Sequence, residues 1–257
     1  MSWNSEKETR GENIIGELYN KGMILTWYRD KPEGWTLVSG LWSPFYINLR
    51  PLCSHPDLLL QVGKALGRTI QAECGNIDRV IGIAMAGIPI AVSISLTEKI
   101  PACFTRKLEG VRNVEQVEAH IKEYGQHSMI EGELTPEDRV VLVDDLVTRF
   151  DSKLIAFKQL EAEAHLRDLT LDASRVLVLF DREQGAKEMA AEHGITLHAL
   201  IPFESKGIHW LQSVFDPTEY QVITSYLRDP DPFQNPEKIH ELIEYALERQ
   251  KKERDER

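Results

Sequence analysis

The sequence lacks any apolar run approaching the roughly 20 residues needed to cross a bilayer. No Gly-x-Gly-x-x-Gly follows a strand-like segment, which argues against a dinucleotide-binding fold. Cysteine is scarce: Cys53, Cys74 and Cys103 are an odd number without metal-ligand spacing, and they read as buried thiols rather than a redox centre. Positive charge is short as well, with 30 Lys and Arg against 41 Asp and Glu, a net charge of −11. A surface of that sign cannot displace the counterions of a nucleic acid, so general nucleic-acid binding is excluded. A local cluster of Lys, Arg and backbone N–H groups still suits an anionic small molecule. The opening MSWNSEKETRGEN is acidic and polar, unlike a signal or transit peptide, so a cytoplasmic location is expected. There is no internal repeat and no second core. What remains is 257 residues, 42% hydrophobic and 28% charged, enough for one α/β domain with terminal additions.

Strand and helix signals alternate through the middle of the chain. Asp78 to Ala84 is a β-branched run ending at the turn Ala86-Gly87-Ile88-Pro89, and a helical stretch follows through Lys99. Ala102 to Thr105 is a second short strand. Arg139 to Val143 is almost wholly apolar, the mark of a strand covered on both faces, and it leads into Asp144-Asp145, a loop and a helix over about 152–166. Ser174 to Phe180 repeats this pattern before Asp181-Arg182, and Leu197 to Pro202 is the last strand. Short strand–helix connections point to a parallel sheet flanked by helices. Ligands of such sheets bind beyond the carboxyl ends of the strands. Attention therefore falls on Ala86-Gly87, Arg106-Lys107, Asp144-Asp145 and Asp181-Arg182.

The ends read differently. A helix is expected over 12–29, and Trp35 to Leu49 suggests two short strands around a turn. The domain is expected to span 1–228. A Pro-rich linker and an amphipathic helix over about 236–249, striped by Ile239, Leu242, Ile243, Ala246 and Leu247, complete residues 229–257.

These segments sit in recognisable motifs. VVLVDDLVT at 140–148 resembles the phosphoribosyl-diphosphate signature of type I phosphoribosyltransferases. LVSGLWSPFYINLR at 37–50, IAMAGIPIAVSISL at 83–96, IPACFTRK at 100–107, GQHSMIEGEL at 125–134 and FDREQGAKEMAAEHGITLHAL at 180–200 resemble stretches of orotate phosphoribosyltransferases, in the same order. The resemblance runs from roughly residue 12 to 212. It implies a parallel sheet with a small hood from residues 30–50 and about 200–212, and a homodimer whose interface includes Ser43–Leu52. It also implies phosphoribosyl diphosphate and a small base as substrates, with Mg²⁺ carried through substrate and water.

The same resemblance implies residue roles. Asp144 and Asp145 would hold the ribose hydroxyls. Arg106 and Lys107 would bind the leaving pyrophosphate, with Ala86, Gly87 and Ile88 adding backbone N–H groups. Lys122, in KEYG where the family has Lys-Asp-His-Gly, would reach that pyrophosphate from the neighbouring subunit. Thr148, Arg149 and Ser152 would meet the 5′-phosphate, Arg182 the carboxylate of orotate, and Phe45 and Tyr46 the base.

Departures from the pattern are concentrated in two places. Val38 and Leu41 stand where the family carries Lys and Arg around the Ser-Gly at 39–40. The phosphate loop, Thr-Thr-Gly-Gly-Ser in the family, reads Thr148-Arg149-Phe150-Asp151-Ser152 here. Asp151 is placed to cap the following helix. Two like charges about 4 Å apart at an intermediate dielectric repel by roughly 4 kcal/mol, which opposes a phosphate there. Two readings follow. One is an enzyme whose Arg149 and Lys153 compensate for the altered loop; the other is a non-catalytic relative serving as a ligand-sensing or partner-binding module.

Overall fold

The computed structural model describes residues 2–37, 39–108, 110–111, 113, 115–117 and 128–255. In chain order its elements begin with helix α1 (Trp3–Asn20) and the short strands β1 (Ile24–Thr26), β2 (Trp35–Thr36), β3 (Trp42–Ser43) and β4 (Phe45–Ile47). Then come α2 (Pro56–Thr69), β5 (Arg79–Gly82), α3 (Gly87–Glu98), β6 (Ala102–Thr105), β7 (Ile130–Glu131) and β8 (Arg139–Val147). The remainder is α4 (Asp151–Leu166), β9 (Asp172–Asp181), α5 (Ala186–Glu192), β10 (Thr196–Pro202), α6 (Pro217–Arg228) and α7 (Pro236–Asp255). Among the described residues no helix is long and apolar enough to cross a membrane.

The chain divides into two compact units. The first, residues 1–11 and 52–203, holds a six-stranded sheet of order β10-β9-β8-β5-β6-β7. Every pairing is parallel except that of the edge strand β7 with β6. Val140 to Val143 and Val176 to Phe180 are all 0% exposed, as expected of strands covered on both faces. Strand β8 lies between β5 and β9 and extends four residues beyond the apolar run. Asp144, Leu146 and Val147 pair with Val178, Phe180 and Asp181, so the two acids belong to the strand rather than to a loop after it.

Helix α1 begins at Trp3, well before the expected residue 12, and stops at Asn20 rather than near 29. Its polar first half is held by Glu73, which accepts hydrogen bonds from Trp3 Nε1 (2.8 Å) and Lys7 Nζ (2.7 Å) and lies 3.2 Å from His198 Nδ1. Such long-range partners have no signature in hydrophobic periodicity. The stop is local: Gly22 adopts φ 70°, and the Gly22 and Met23 N–H groups bond back to Tyr19 and Leu18. That is a Schellman ending, whose left-handed residue favours glycine.

The second unit, residues 12–51 and 204–257, carries two antiparallel ladders, β1 with β4 and β2 with β3. Glu219 is 1% exposed and accepts from the hydroxyls of Tyr19 and Thr26, while closing a capping box with Asp216 at the start of α6. The Pro-rich stretch folds as a 3-10 turn over Asp231–Gln234 that buries Phe233 against Tyr226. Helix α7 buries Leu242 and Ala246 of the expected stripe, leaves Leu247 exposed, and places the Arg249 guanidinium 4.2 Å from the Tyr28 ring centre.

Burial opposes the charge on Glu73, but its His198, Lys7 and Trp3 hydrogen bonds outweigh burial and lower the carboxyl from 4.5 to about 2. Glu73→Gln is therefore expected to cost about 1–2 kcal/mol at pH 7. A depressed carboxyl stabilises above its unfolded value and loses that contribution as pH falls toward its folded one. Thermal melts of the two proteins should thus converge between about pH 4.5 and pH 2.

Candidate active site

Parallel pairing brings the carboxyl ends of β5, β6, β8 and β9 to one edge of the sheet. The turn after β5 is fastened to both neighbours: the Ile83 N–H donates to Val143 O (2.8 Å) and the Ala84 N–H to Thr105 Oγ1 (2.9 Å). A Cβ on Gly87 would lie 2.2 Å from Val143 O, so glycine is required for α3 to start against β8. The Gly87 and Ile88 N–H groups bond to Ile83 O and Met85 O. Their expected role as open donors to pyrophosphate is therefore not met, because the turn uses them to close on itself. Ala86, just before them, is half-buried.

The acid pair is bound from within. Asp144 is 7% exposed; its Oδ2 lies 2.7 Å from Lys153 Nζ and its Oδ1 accepts the Asp145 N–H at 2.8 Å. Asp145 is half-buried, and its Oδ1 accepts the Leu146 N–H at 2.7 Å. Burial, reinforced by the neighbouring Asp144 charge, pushes Asp145 up to about 7. Lys153 is 3% exposed and also donates to Leu146 O (2.7 Å) and Ser152 Oγ (3.3 Å). The expectation that Lys153 binds phosphate is thus overturned: its three donors face protein acceptors.

Magnesium does not suit this pair. Among the described residues no three His, Cys, Asp or Glu side chains are grouped to hold a metal ion. A dication about 4 Å from the Lys153 ammonium would be repelled by roughly 8 kcal/mol at an intermediate dielectric. The acids already have a cation.

The altered loop is explained by packing. Phe150 is 0% exposed and belongs to the core cluster with Ile83, Val147, Phe157 and Leu160. It also occupies the cap position of α4, with Asp151 as the first helical residue and no side-chain cap hydrogen bond. Asp151 is therefore not the N-cap expected from the sequence; it is exposed, as are Arg149 and Ser152, while Thr148 is half-buried.

At the end of β6, Arg106 and Lys107 are exposed. The Arg106 guanidinium lies 3.5 Å from Glu131, and its backbone is pinned by Gln159 Nε2 to Arg106 O (2.7 Å) and by Arg106 N to Met129 O (2.9 Å). At the end of β9, Arg182 is half-buried and its N–H donates to Val147 O (2.9 Å). Asp181 beside it is 1% exposed, and burial raises its carboxyl.

Against this geometry, relatives are informative. No family model matches the chain. Over 166 residues it is 31% identical to the orotate phosphoribosyltransferase of Methanocorpusculum labreanum, covering 65% of this chain and 84% of that one. The chain belongs to the orotate phosphoribosyltransferase family. It is also 34% identical over 170 residues to uridine 5′-monophosphate synthase of Caenorhabditis elegans, covering 66% of this chain but only 31% of the length of that relative. The crystal structure of orotate phosphoribosyltransferase from Aeropyrum pernix matches with a TM-score of 0.56 at 25% identity, over 78% of this chain and 97% of that one.

Within the family frame, the first unit gathers Asp144, Asp145, Arg106, Lys107, Thr148, Arg149, Ser152 and Arg182 along one sheet edge. Lys122 and residues 125–127 lie outside the described residues. In the second unit the expected aromatic pair separates. Phe45 is 1% exposed and meets Tyr226 edge-on at 6.0 Å, so its ring is core and the expected base contact is corrected. Tyr46 is 39% exposed and stacks on Trp35. Sequence reasoning missed the Lys153–Asp144 pair and Gln159 under Arg106. No spacing rule pairs residues nine apart across a strand–turn–helix, although a lysine amid the apolar start of a helix was a usable signal.

Phe150→Ala should cost about 3–5 kcal/mol in chemical denaturation. Replacing Phe150 and Asp151 by Gly should therefore lower the melting temperature far more than loss of a helix cap would. For Asp145, the native state keeps a proton that the unfolded chain has lost between pH 3.8 and about 7, so this group's contribution to stability falls as pH rises. Relative to Asp145→Asn, the wild type should lose stability steadily across that window, read from denaturation curves.

Proposed function

We propose that the chain transfers ribose 5-phosphate from phosphoribosyl diphosphate to a pyrimidine base, orotate, in nucleotide synthesis. The observation that carries this reading is the single sheet edge bearing the acids of β8, the exposed cations after β6 and Arg182 after β9. Family membership supports it. In the reaction, the C1–oxygen bond to pyrophosphate breaks with its electron pair leaving on oxygen, while a base nitrogen bonds to C1 and releases its proton. Arg106 and Lys107 would stabilise charge on the departing pyrophosphate. Asp145 would accept a ribose hydroxyl, and Arg149 with Ser152 would take the 5′-phosphate at the start of α4. Arg182 would meet the carboxylate of the base. Water must be kept from the cationic C1 as the bond breaks.

Magnesium enters this reading only as a companion of the diphosphate, because Lys153 already occupies the acid pair. A cytoplasmic homodimer is part of the same proposal, with Lys122 acting across subunits. Light scattering that shows a monomer at micromolar concentration would remove that role. A second reading, a non-catalytic ligand-sensing or partner-binding module, is favoured by Phe150 in the core where the family has a phosphate-loop glycine.

The deciding measurement is release of pyrophosphate from phosphoribosyl diphosphate in the presence of orotate, alongside calorimetry with each ligand. Turnover that falls about 100-fold in kcat/KM in Arg106→Ala and Asp145→Asn supports the enzyme. Binding without turnover selects the second reading, and neither binding nor turnover removes the transferase.

A further inference from the structure

Lys153 is a buried lysine that the transfer reaction leaves without a task. An ammonium at that depth requires compensating acceptors, and it has three: Asp144 Oδ2 and Leu146 O at 2.7 Å, and Ser152 Oγ at 3.3 Å. It cannot swing outward independently. The Lys153 and Leu154 N–H groups both bond to the carbonyl of Phe150 at 3.0 Å, and the Phe150 ring is 0% exposed in the core. The turn that carries Lys153 is thereby locked under the acid pair.

We infer that Lys153 is the resident cation of the Asp144–Asp145 pair, standing where a divalent metal would otherwise be drawn and excluding it, so that a ribose docks at this strand end without metal. Three observations converge. The ammonium contacts Asp144 directly, so its charge lies where a cation would bind. Both Asp144 oxygens accept hydrogen bonds from protein donors, and Asp145 uses Oδ1 on the Leu146 N–H. Among the described residues no third acidic, His or Cys side chain completes a metal set. The inference deepens the phosphoribosyl-transfer reading, and only its ligand arm rests on that reading.

The test uses the full chain and Mn²⁺ alone, followed by electron paramagnetic resonance. The wild type is expected to show no saturable site that depends on Asp144 or Asp145. Lys153→Met should acquire one, binding Mn²⁺ at least tenfold more tightly than the wild type, and adding Asp144→Asn and Asp145→Asn should abolish it. Because Lys153→Met leaves a buried carboxylate uncompensated, Lys153→Gln is made in parallel; it keeps a donor for Leu146 O without the charge. Thermal melts confirm which variants fold, with Lys153→Met/Asp144→Asn as the neutralised control. In the ligand arm, ribose 5-phosphate should bind the wild type equally, within twofold, in chelator and in Mg²⁺. A wild-type Mn²⁺ site lost in the double Asn variant overturns the inference. So does a folded Lys153 variant that gains no site, or a tenfold loss of ribose 5-phosphate affinity in chelator. Because the Mn²⁺ arm reads metal binding alone, a failed transferase assay and a failed metal prediction are distinguishable.

Discussion

The contact between the Lys153 ammonium and the Asp144 carboxylate joins the middle strand of the sheet to the helix that follows it. Buried ion pairs are weak evidence of net stability, since desolvation offsets much of their attraction, but losing one partner leaves a bare charge at a cost of about 3–5 kcal/mol. The pair is therefore best understood as a constraint. It fixes where α4 starts relative to the acids. The same helix then reaches two other parts of the edge. Gln159 holds the backbone of Arg106, and Glu163, 3% exposed, accepts from Ser128 Oγ (3.1 Å) and the Met129 N–H (2.5 Å). Arg167 closes this group through Glu163 and Ile130 O. One helix thus organises the acids, the cation-bearing strand end, and the two residues that lead into β7.

The loop before α4 shows the cost of that arrangement. A Gly-Gly phosphate loop leaves backbone N–H groups open at a helix start, where an anion is favoured by partial positive charge. Here a phenylalanine fills the core from the same position, and a lysine three residues later neutralises the acids. Packing and internal charge balance thus shape this segment from within, through Phe150 and Lys153. What stays open at the edge is cationic and peripheral: Arg106, Lys107 and Arg149 are exposed, while Asp144, Asp181 and Lys153 are buried.

Much of the fold was legible in the residues. Strand β6 matched Ala102–Thr105, and the apolar runs at 139–143 and 174–180 became neighbouring strands of a parallel sheet. Continuous β-branched runs and short turns depend on local sequence, so they can be read without partners. Helix α1 was misplaced by about nine residues at each end, because its polar start is held by Glu73, some 70 residues away, and its end by Gly22. The candidate residues could be named from the sequence, but their packing could not. Gly87 is a packing glycine, Phe45 is core, and Asp151 does not cap.

The sequence by itself determined the class of fold, the strands whose ends matter and the family. Each of these rests on periodicity and motif order, which are properties of neighbouring residues. Only the tertiary structure decided which polar groups at the strand ends face each other and which stay exposed. That choice depends on where a helix lands after a turn. Phe150 entering the core brings Lys153 to within 2.7 Å of Asp144, and at that distance charge and desolvation, rather than residue type, assign the role.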